Sequence, residues 1–209
     1  MKRTIILSVF LAIVFISCNE NKDTRMKSCC SKEKPAAKLK ALSGESVYNL
    51  TSPWVTQNNQ SIQLTRFEGK IIIVAMIFTH CESACPRIVA DMQRIESALS
   101  TKELRQIDFL LISMNPERDT PARLTEFSKE HNLKTNWTLI CSNKDATMEI
   151  ANVLGVRVKK LEGGGFDHSN VIHVFNQEGL IVHQQNGFAV EQGETLEAIR
   201  NLLKIIANN

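Results

Sequence analysis

The sequence has few of the aromatic residues that stack on nucleic acid bases, and it has little excess charge. Its 209 residues include two Trp and one Tyr, and 25 basic side chains stand against 22 acidic ones, a formal net charge of +3. Nucleic-acid-binding domains typically combine a strongly basic face with stacking aromatics, so this composition argues against that class. The hydrophobic fraction of 43% is instead typical of one soluble globular domain.

Long apolar runs and nucleotide-binding motifs are also missing. The longest apolar run, 4–16, is shorter than the roughly 20 residues that a bilayer-spanning helix needs. The three glycines at 163–165 have neither the preceding strand nor the following helix of a phosphate-binding loop, and the sequence has no internal repeat. We therefore predict neither a nucleotide-binding domain nor a repeat protein.

The N-terminal sequence predicts an export signal. Two basic residues precede the apolar run 4–16, and a small residue and Cys18 follow it, which is the layout of a secretory signal. The ending Phe-Ile-Ser-Cys resembles a bacterial lipoprotein signal, although leucine is usual where Phe15 stands. We predict that residues 1–17 are removed and that a lipid on Cys18 holds the chain in the cell envelope, facing the periplasm or the exterior. The alternative is an uncleaved N-terminal anchor.

The rest of the chain divides into a tether and a domain. Cleavage after residue 17 removes two of the 25 basic side chains and no acidic one, so 23 remain against 22 and no charged partner is implied. Residues 18–45 are polar and lysine-rich without apolar periodicity, which predicts a flexible tether. Cys29 and Cys30 lie in this tether without an assigned role. Residues 46–209 are predicted to form the folded domain.

The pattern from residue 46 onward predicts alternating strands and helices. The unbroken apolar run at 70–79 is typical of a strand buried on both faces, and the apolar stripe of 86–99 is typical of a helix that begins at a proline. The remaining predicted elements are a leading hairpin at 47–55 and 61–64, a strand at 107–114, a helix at 120–131, a strand at 137–141, a helix at 145–154, a hairpin at 171–175 and 180–183, and a closing helix at 195–207. This order predicts an α/β fold with a thioredoxin-like central sheet flanked by helices, an N-terminal β-hairpin extension and an inserted hairpin.

Two of the six cysteines occupy a position suited to chemistry. An even number of cysteines could indicate three disulfides, but a domain of this length does not need disulfides for stability. Cys81 and Cys85 follow the buried strand and precede Pro86, so right-handed crossovers place them at the rim of the sheet. Residues four apart in a first helical turn face the same way, and a helix N-terminus favours the thiolate form. Such thiolates bind soft metal ions or attack disulfides.

A third ligand is needed because two thiolates leave a soft metal ion undercoordinated. The best candidate is His168, which would complete a trigonal Cu(I) site. The glycines at 163–165 predict a mobile loop that brings this imidazole to the sulfurs, and Asp167 or another carboxylate close by would orient the ring. His80 is a weaker candidate, since the strand direction points it away. Cys141 is predicted to be a packed thiol.

Three motifs in the domain occur in a specific order. They are Phe78-Thr79-His80-Cys81 through Cys85-Pro86, then the run 113–121 (Ser-Met-Asn-Pro-Glu-Arg-Asp-Thr-Pro), then Asp167-His168-Ser169. Weaker matches at 52–54 and 69–70 extend the pattern from about residue 46 to the C-terminus. Each motif alone is weak, but together they resemble the SCO/SenC family of copper chaperones for cytochrome oxidase assembly.

This resemblance implies a thioredoxin-like fold with one copper ion, Cu(I) or Cu(II), held by Cys81, Cys85 and His168. It also implies delivery of that copper to the binuclear copper centre of a cytochrome c oxidase subunit. The sequence departs from the family pattern at Glu82, where proline is common, and at Asn115, where aspartate is common. Neither departure removes a proposed ligand, but Glu82 places a carboxylate beside the site.

Two other functions would use the same residues. A thiol–disulfide oxidoreductase would reduce oxidase cysteines through Cys81 and Cys85 and would not need His168, although redox motifs of this fold usually separate their cysteines by two residues. A copper or redox sensor would change conformation on oxidation without transferring metal. We predict a membrane-tethered copper metallochaperone, not an enzyme.

Overall fold

The computed structural model, which describes residues 42–162 and 166–208, is organised around a seven-stranded sheet. Its strands are β1 (Trp54–Thr56), β2 (Ser61–Ile62), β3 (Ile71–Ile77), β4 (Ile107–Ser113), β5 (Trp137–Cys141), β8 (Val171–Phe175) and β9 (Ile181–Asn186), and β6 (Val158–Lys160) pairs with β7 (Phe166–His168) in a separate two-stranded sheet. The large sheet has the order β2-β1-β5-β4-β3-β8-β9. Its centre, β5-β4-β3, is parallel, and the outer strands join it antiparallel.

The helices of the described ranges connect and cover these strands. They are α1 (Ala84–Ser97), α2 (Thr101–Leu104), α3 (Pro121–Glu130), α4 (Lys144–Val153) and α5 (Gly193–Ala207). The start of α3 shows how the sequence sets a boundary, because the Thr120 side chain accepts a hydrogen bond from the N–H of Arg123 and Pro121 occupies the first helical position. No helix of these ranges is both long and apolar enough to cross a membrane.

The most buried strand is β3, and it leads directly into the candidate site. All seven of its residues are buried, as the unbroken apolar run predicts for a strand covered on both faces. β3 pairs in parallel with β4 and antiparallel with β8. The loop that follows its carboxyl end therefore starts from a rigid part of the core.

The predicted α/β fold with a thioredoxin-like central sheet is confirmed, with differences at particular elements. Residues 47–49 form a 3₁₀ turn instead of a strand, because the Ser46 side chain caps the turn by accepting a hydrogen bond from the N–H of Tyr48. The leading hairpin is consequently reduced to β1 and β2. Helix α1 begins two residues before Pro86, so Cys85 lies inside it. Helix α2 and the β6–β7 pair were not predicted.

Several predictions concern residues outside the described ranges. They are the signal at 1–17, the lipidated Cys18, the tether up to residue 41 with Cys29 and Cys30, and the glycines at 163–165.

Candidate metal centre

The segment 78–85, which runs from the end of β3 into the first turn of α1, holds two free thiols close together; we call it the cysteine loop. Its Cys81 Sγ accepts a hydrogen bond from the Cys85 N–H at 3.5 Å, and Cys85 Sγ accepts one from the Phe78 N–H at 3.1 Å. Neither cysteine is in a disulfide. The start of α1 at Ala84 places Cys85 in the first helical turn, so the spacing of four residues brings both thiols to the same end of the helix.

The two thiols differ in burial and in acidity. Partial burial of Cys81 opposes its ionisation, but the backbone N–H groups of Cys85, Ser83 and Ala84 outweigh that effect and lower its pKa. Cys85 is fully buried, and its burial raises its pKa well above the ordinary thiol value. Cys81 is therefore the accessible and more readily ionised thiol, and Cys85 the protected one.

A buried carboxylate, Asp119, fixes the start of the cysteine loop. It is completely buried, and it accepts hydrogen bonds from the Thr79 hydroxyl at 2.6 Å and from the Ser113 hydroxyl at 2.6 Å. The Thr79 N–H donates to it as well, at 3.4 Å. Asp119 thereby joins the end of β4 to the residues that follow β3, next to the cysteines.

Arg123 on α3 also holds the cysteine loop in place. Its guanidinium donates to the Thr79 carbonyl at 3.0 Å and to the Glu130 carboxylate at 2.7 Å. The hydrogen bond and charge of Glu130 raise the pKa of Arg123, so the group stays charged. The backbone just before Cys81 is therefore held by two charged side chains, Asp119 and Arg123.

An open cleft adjoins Cys81 and gives solvent access to it. Its lining is mostly polar and charged, and consists of Thr79, His80, Cys81, Glu82, Pro86, Arg118, Arg123, Phe127, Glu130 and His131. Such a cleft is suited to a partner that approaches Cys81, because Cys85 lies behind it in the core.

His168 lies on a different element, the β6–β7 pair, which we call the histidine hairpin. Val158 pairs with His168 and Lys160 with Phe166. The sequence predicts His168 on a mobile glycine loop, whereas in the structure His168 is the last residue of β7, opposite Val158. Its Nδ1 lies 3.2 Å from the Ser169 carbonyl oxygen.

One aromatic contact links the histidine hairpin to the cysteine loop. The ring of Phe166 packs edge-on against Phe78, with centroids 5.2 Å apart. Side chains two apart in a strand share a face, so His168 lies on the same face of β7 as Phe166. Asp167 is exposed on the opposite face. Within the described ranges, no three His, Cys, Asp or Glu side chains are grouped closely enough to hold a metal ion.

Two other sequence candidates are placed by clear contacts. His80 Nδ1 lies 3.1 Å from Thr79 Oγ1 and 3.6 Å from an Asp119 carboxylate oxygen, so this ring joins the buried network. Cys141 is buried, and its Sγ lies 3.7 Å from the Val55 carbonyl oxygen, as expected for a packed thiol.

Comparison with known proteins places the chain in a family. The family model described as SCO1/SenC matches residues 43–204. The SCO1 protein homolog of Bacillus subtilis is 24% identical over 135 residues, which cover 63% of this chain and 69% of the relative.

Two solved structures have the same fold. The crystal structure of Arabidopsis thaliana ScoI with copper bound matches with a TM-score of 0.61 and 19% identity, covering 74% of this chain and 96% of that one. A SCO1/SenC family lipoprotein from Bacillus anthracis matches with a TM-score of 0.66 and 20% identity, covering 74% of this chain and 92% of that one. Because the family model spans far more than half of the sequence, the chain belongs to the SCO1/SenC family.

Proposed function

We propose that this chain is a membrane-tethered copper metallochaperone that binds one copper ion through Cys81, Cys85 and His168 and delivers it to the binuclear copper site of cytochrome c oxidase. The observation that carries the proposal is the pair of free thiols at the start of α1, one of them with a lowered pKa. Family membership supports the identity of the cargo, since ScoI proteins of Arabidopsis thaliana and Bradyrhizobium japonicum have been solved with copper bound.

The donor set fits copper better than harder metals. Thiolates are soft ligands that select Cu(I), and an added imidazole also accommodates Cu(II). Binding requires both thiols to lose their protons, so copper has to overcome the raised pKa of Cys85 and binding releases protons. Because no three His, Cys, Asp or Glu side chains of the described ranges are grouped closely enough for a metal ion, His168 would have to approach this pair, and the Phe166–Phe78 contact supports that role because it already joins the two elements.

The tether is proposed from the N-terminal sequence. Lipidation of Cys18 would hold the domain at a membrane surface in the cell envelope, and a lipoprotein from Bacillus anthracis is among the structural relatives. The chain between Cys18 and residue 42 is long enough to give the domain freedom to approach a membrane-bound oxidase.

Copper titration of the full chain tests the ligand set. We would use a background in which Cys29→Ser and Cys30→Ser remove the tether thiols, and titrate Cu(I) and Cu(II) anaerobically. The expected result is one copper per chain, with Cu(II) affinity reduced at least about tenfold by His168→Ala, the range in which even supporting groups of metal sites act. His183→Ala is the matched control, because His183 bonds to Thr195 on the α5 side of the sheet. Unchanged Cu(II) affinity in His168→Ala would refute the three-ligand site.

A transfer experiment tests delivery separately from binding. Copper-loaded chain is mixed with the apo copper domain of the oxidase subunit, and the metal is followed in each protein after separation. Metal that moves to the oxidase domain supports the chaperone. Metal that stays on a chain with a normal titration would refute delivery while leaving the copper site intact.

The difference between the two thiols favours one second candidate, a thiol–disulfide reductant. The Cys81 thiolate would attack a disulfide of the partner and form a mixed disulfide, releasing one partner thiolate. Cys85, after losing its proton, would then attack Cys81 Sγ, leaving a Cys81–Cys85 disulfide and a partner with two thiols. This reaction oxidises the two cysteines and reduces the partner by the same two electrons. It predicts that His168→Ala retains full activity toward an oxidase domain whose cysteines are oxidised.

A further inference from the structure

The C-terminal end of α5 borders a basic, partly apolar groove that the proposed copper chemistry does not use. The groove is lined by Lys102, Glu103, Arg105, Gln106, Arg200, Leu203, Lys204, Ile206 and Ala207. These residues include four basic side chains and one acidic side chain, Glu103, whose carboxylate lies 3.6 Å from Arg200. The nine residues that line the groove therefore carry a net charge of +3, which equals the formal net charge of the whole 209-residue chain.

Apolar side chains continue from this groove across the same end of the domain. Ile206 also lines a neighbouring cleft with Ile71, Asn176, Gln177, Glu178, Leu202 and Ile205. Ile205 is 58% exposed, the highest value among the large exposed hydrophobic side chains of the described ranges. A helix end that combines an exposed isoleucine and half-buried leucines with lysine and arginine is typical of a surface that lies at a lipid interface.

The first described residues enter the domain at this same end. The Val47 N–H donates to the Gly179 carbonyl at 3.1 Å, and the Ser46 hydroxyl donates to the Glu178 carbonyl. Glu178 lines the apolar cleft beside Ile205. The chain that comes from the predicted anchor at Cys18 therefore joins the domain next to the basic groove.

We propose that this end of the domain binds the surface of an anionic lipid bilayer. We call it the membrane pole and define it as the groove residues together with Ile205 and Leu202. The basic side chains would contact lipid phosphates while Ile205 and Ile206 enter the boundary between headgroups and acyl chains. The groove lies at the amino ends of β3 and β4, whereas the cysteine loop follows the carboxyl end of β3. A strand of seven residues spans roughly 20 Å, so this docking points Cys81 away from the bilayer.

Quenching of a tryptophan introduced at the membrane pole tests the proposal. Ile205→Trp is made in the full chain, which is reconstituted into vesicles of brominated phosphatidylcholine with or without phosphatidylglycerol. The native Trp54 and Trp137 are buried, and their emission is a background that is measured with the unaltered chain. We expect the introduced tryptophan to lose most of its emission only in vesicles with phosphatidylglycerol. Raising the salt from about 0.1 to about 1 M should restore it, because the Debye length falls from about 10 to about 3 Å.

Two matched variants separate docking from simple tethering. Val190→Trp places the probe on an exposed residue before the N-terminal end of α5 and should show no phosphatidylglycerol-dependent quenching. Adding Lys102→Glu, Arg105→Glu and Lys204→Glu to Ile205→Trp should abolish the quenching. Equal quenching with and without phosphatidylglycerol, or none in either, would overturn the proposal. No quenching combined with an emission change on adding the oxidase copper domain would assign the pole to a protein partner instead.

Discussion

The cysteine loop and the histidine hairpin carry the three proposed ligands, but the protein holds these two regions in very different ways. The cysteine loop grows out of a fully buried strand and is fixed by Asp119, which accepts hydrogen bonds from both Thr79 and Ser113. The histidine hairpin forms its own two-stranded sheet, and its β6 residues are half-buried or exposed. Two of the proposed ligands are thus preorganised by the core, and the third proposed ligand is presented on a surface element.

This difference matches the demands on a protein that both binds and releases a metal ion. A site in which every ligand is rigid binds tightly and releases slowly, whereas a ligand on a weakly packed element can leave with little loss of core packing. Under the proposed function, the thiols would retain the cargo and the histidine hairpin would govern its exchange. The following predictions test that comparison, from the largest expected effect to the smallest.

Removal of the buried carboxylate should produce the largest loss of stability. Asp119→Ala leaves the Thr79 N–H and the Thr79 and Ser113 hydroxyls without their acceptor in the core, so we expect the free energy of unfolding to fall by about 3 kcal/mol. Asp167→Ala, on the exposed side of the histidine hairpin, should change it by no more than about 0.5 kcal/mol. Urea denaturation of the metal-free chains measures both. Similar losses in the two variants would contradict the view that only the cysteine loop is fixed by the core.

The two thiols should also differ in their reaction with iodoacetamide. Only the thiolate reacts, and the pKa of Cys81 is lowered while the pKa values of Cys85 and Cys141 are raised by burial. Each unit of pKa separation changes the thiolate population tenfold below both pKa values. At neutral pH, Cys81 should therefore be alkylated before Cys85 and Cys141, and peptide mapping by mass spectrometry identifies the site.

The pH dependence of that reaction has a defined sign. The alkylation rate of Cys81 should rise with pH and reach half of its plateau below the value of about 8.5 that an unperturbed cysteine shows. The chain unfolded in urea is the control, because the backbone N–H groups that lower the pKa are then lost. Equal midpoints in the folded and unfolded chains would show that the start of α1 does not stabilise the thiolate.

The sequence predicts the cysteine loop well because its geometry depends on local features. An apolar run that ends before Cys81 and a helix that begins near Pro86 are enough to place two thiols at a helix N-terminus. The contribution of Asp119 is harder to predict, since the spacing of 40 residues from Thr79 carries no signal that their side chains meet. The best sequence indication was the presence of both residues in motifs of the SCO/SenC pattern.

The histidine hairpin is poorly predicted for a related reason. Strands β6 and β7 have three residues each, too few for the alternation that identifies a strand in a sequence, and β6 ends in two exposed lysines. Their pairing, and the contact of Phe166 with Phe78, are tertiary interactions that override weak local preferences. The identity of His168 as a candidate followed from the chemistry of soft metals and from the family motif, whereas its position in a strand did not.

Truncation of the contact between the two regions should have a small effect on the fold and a selective effect on copper. Phe166→Ala removes an edge-on aromatic pair, so we expect about 1 kcal/mol of lost stability. Because Phe166 and His168 share a face of β7, the variant should also weaken Cu(II) binding by about threefold to tenfold while Cu(I) binding by the thiols changes less. Leu161→Ala, which truncates an exposed apolar side chain beside β6, is the control and should leave both affinities unchanged. Equal losses of Cu(I) and Cu(II) affinity in Phe166→Ala would instead show that the hairpin supports the thiols themselves, and the division between a fixed and an exchangeable half of the site would fail.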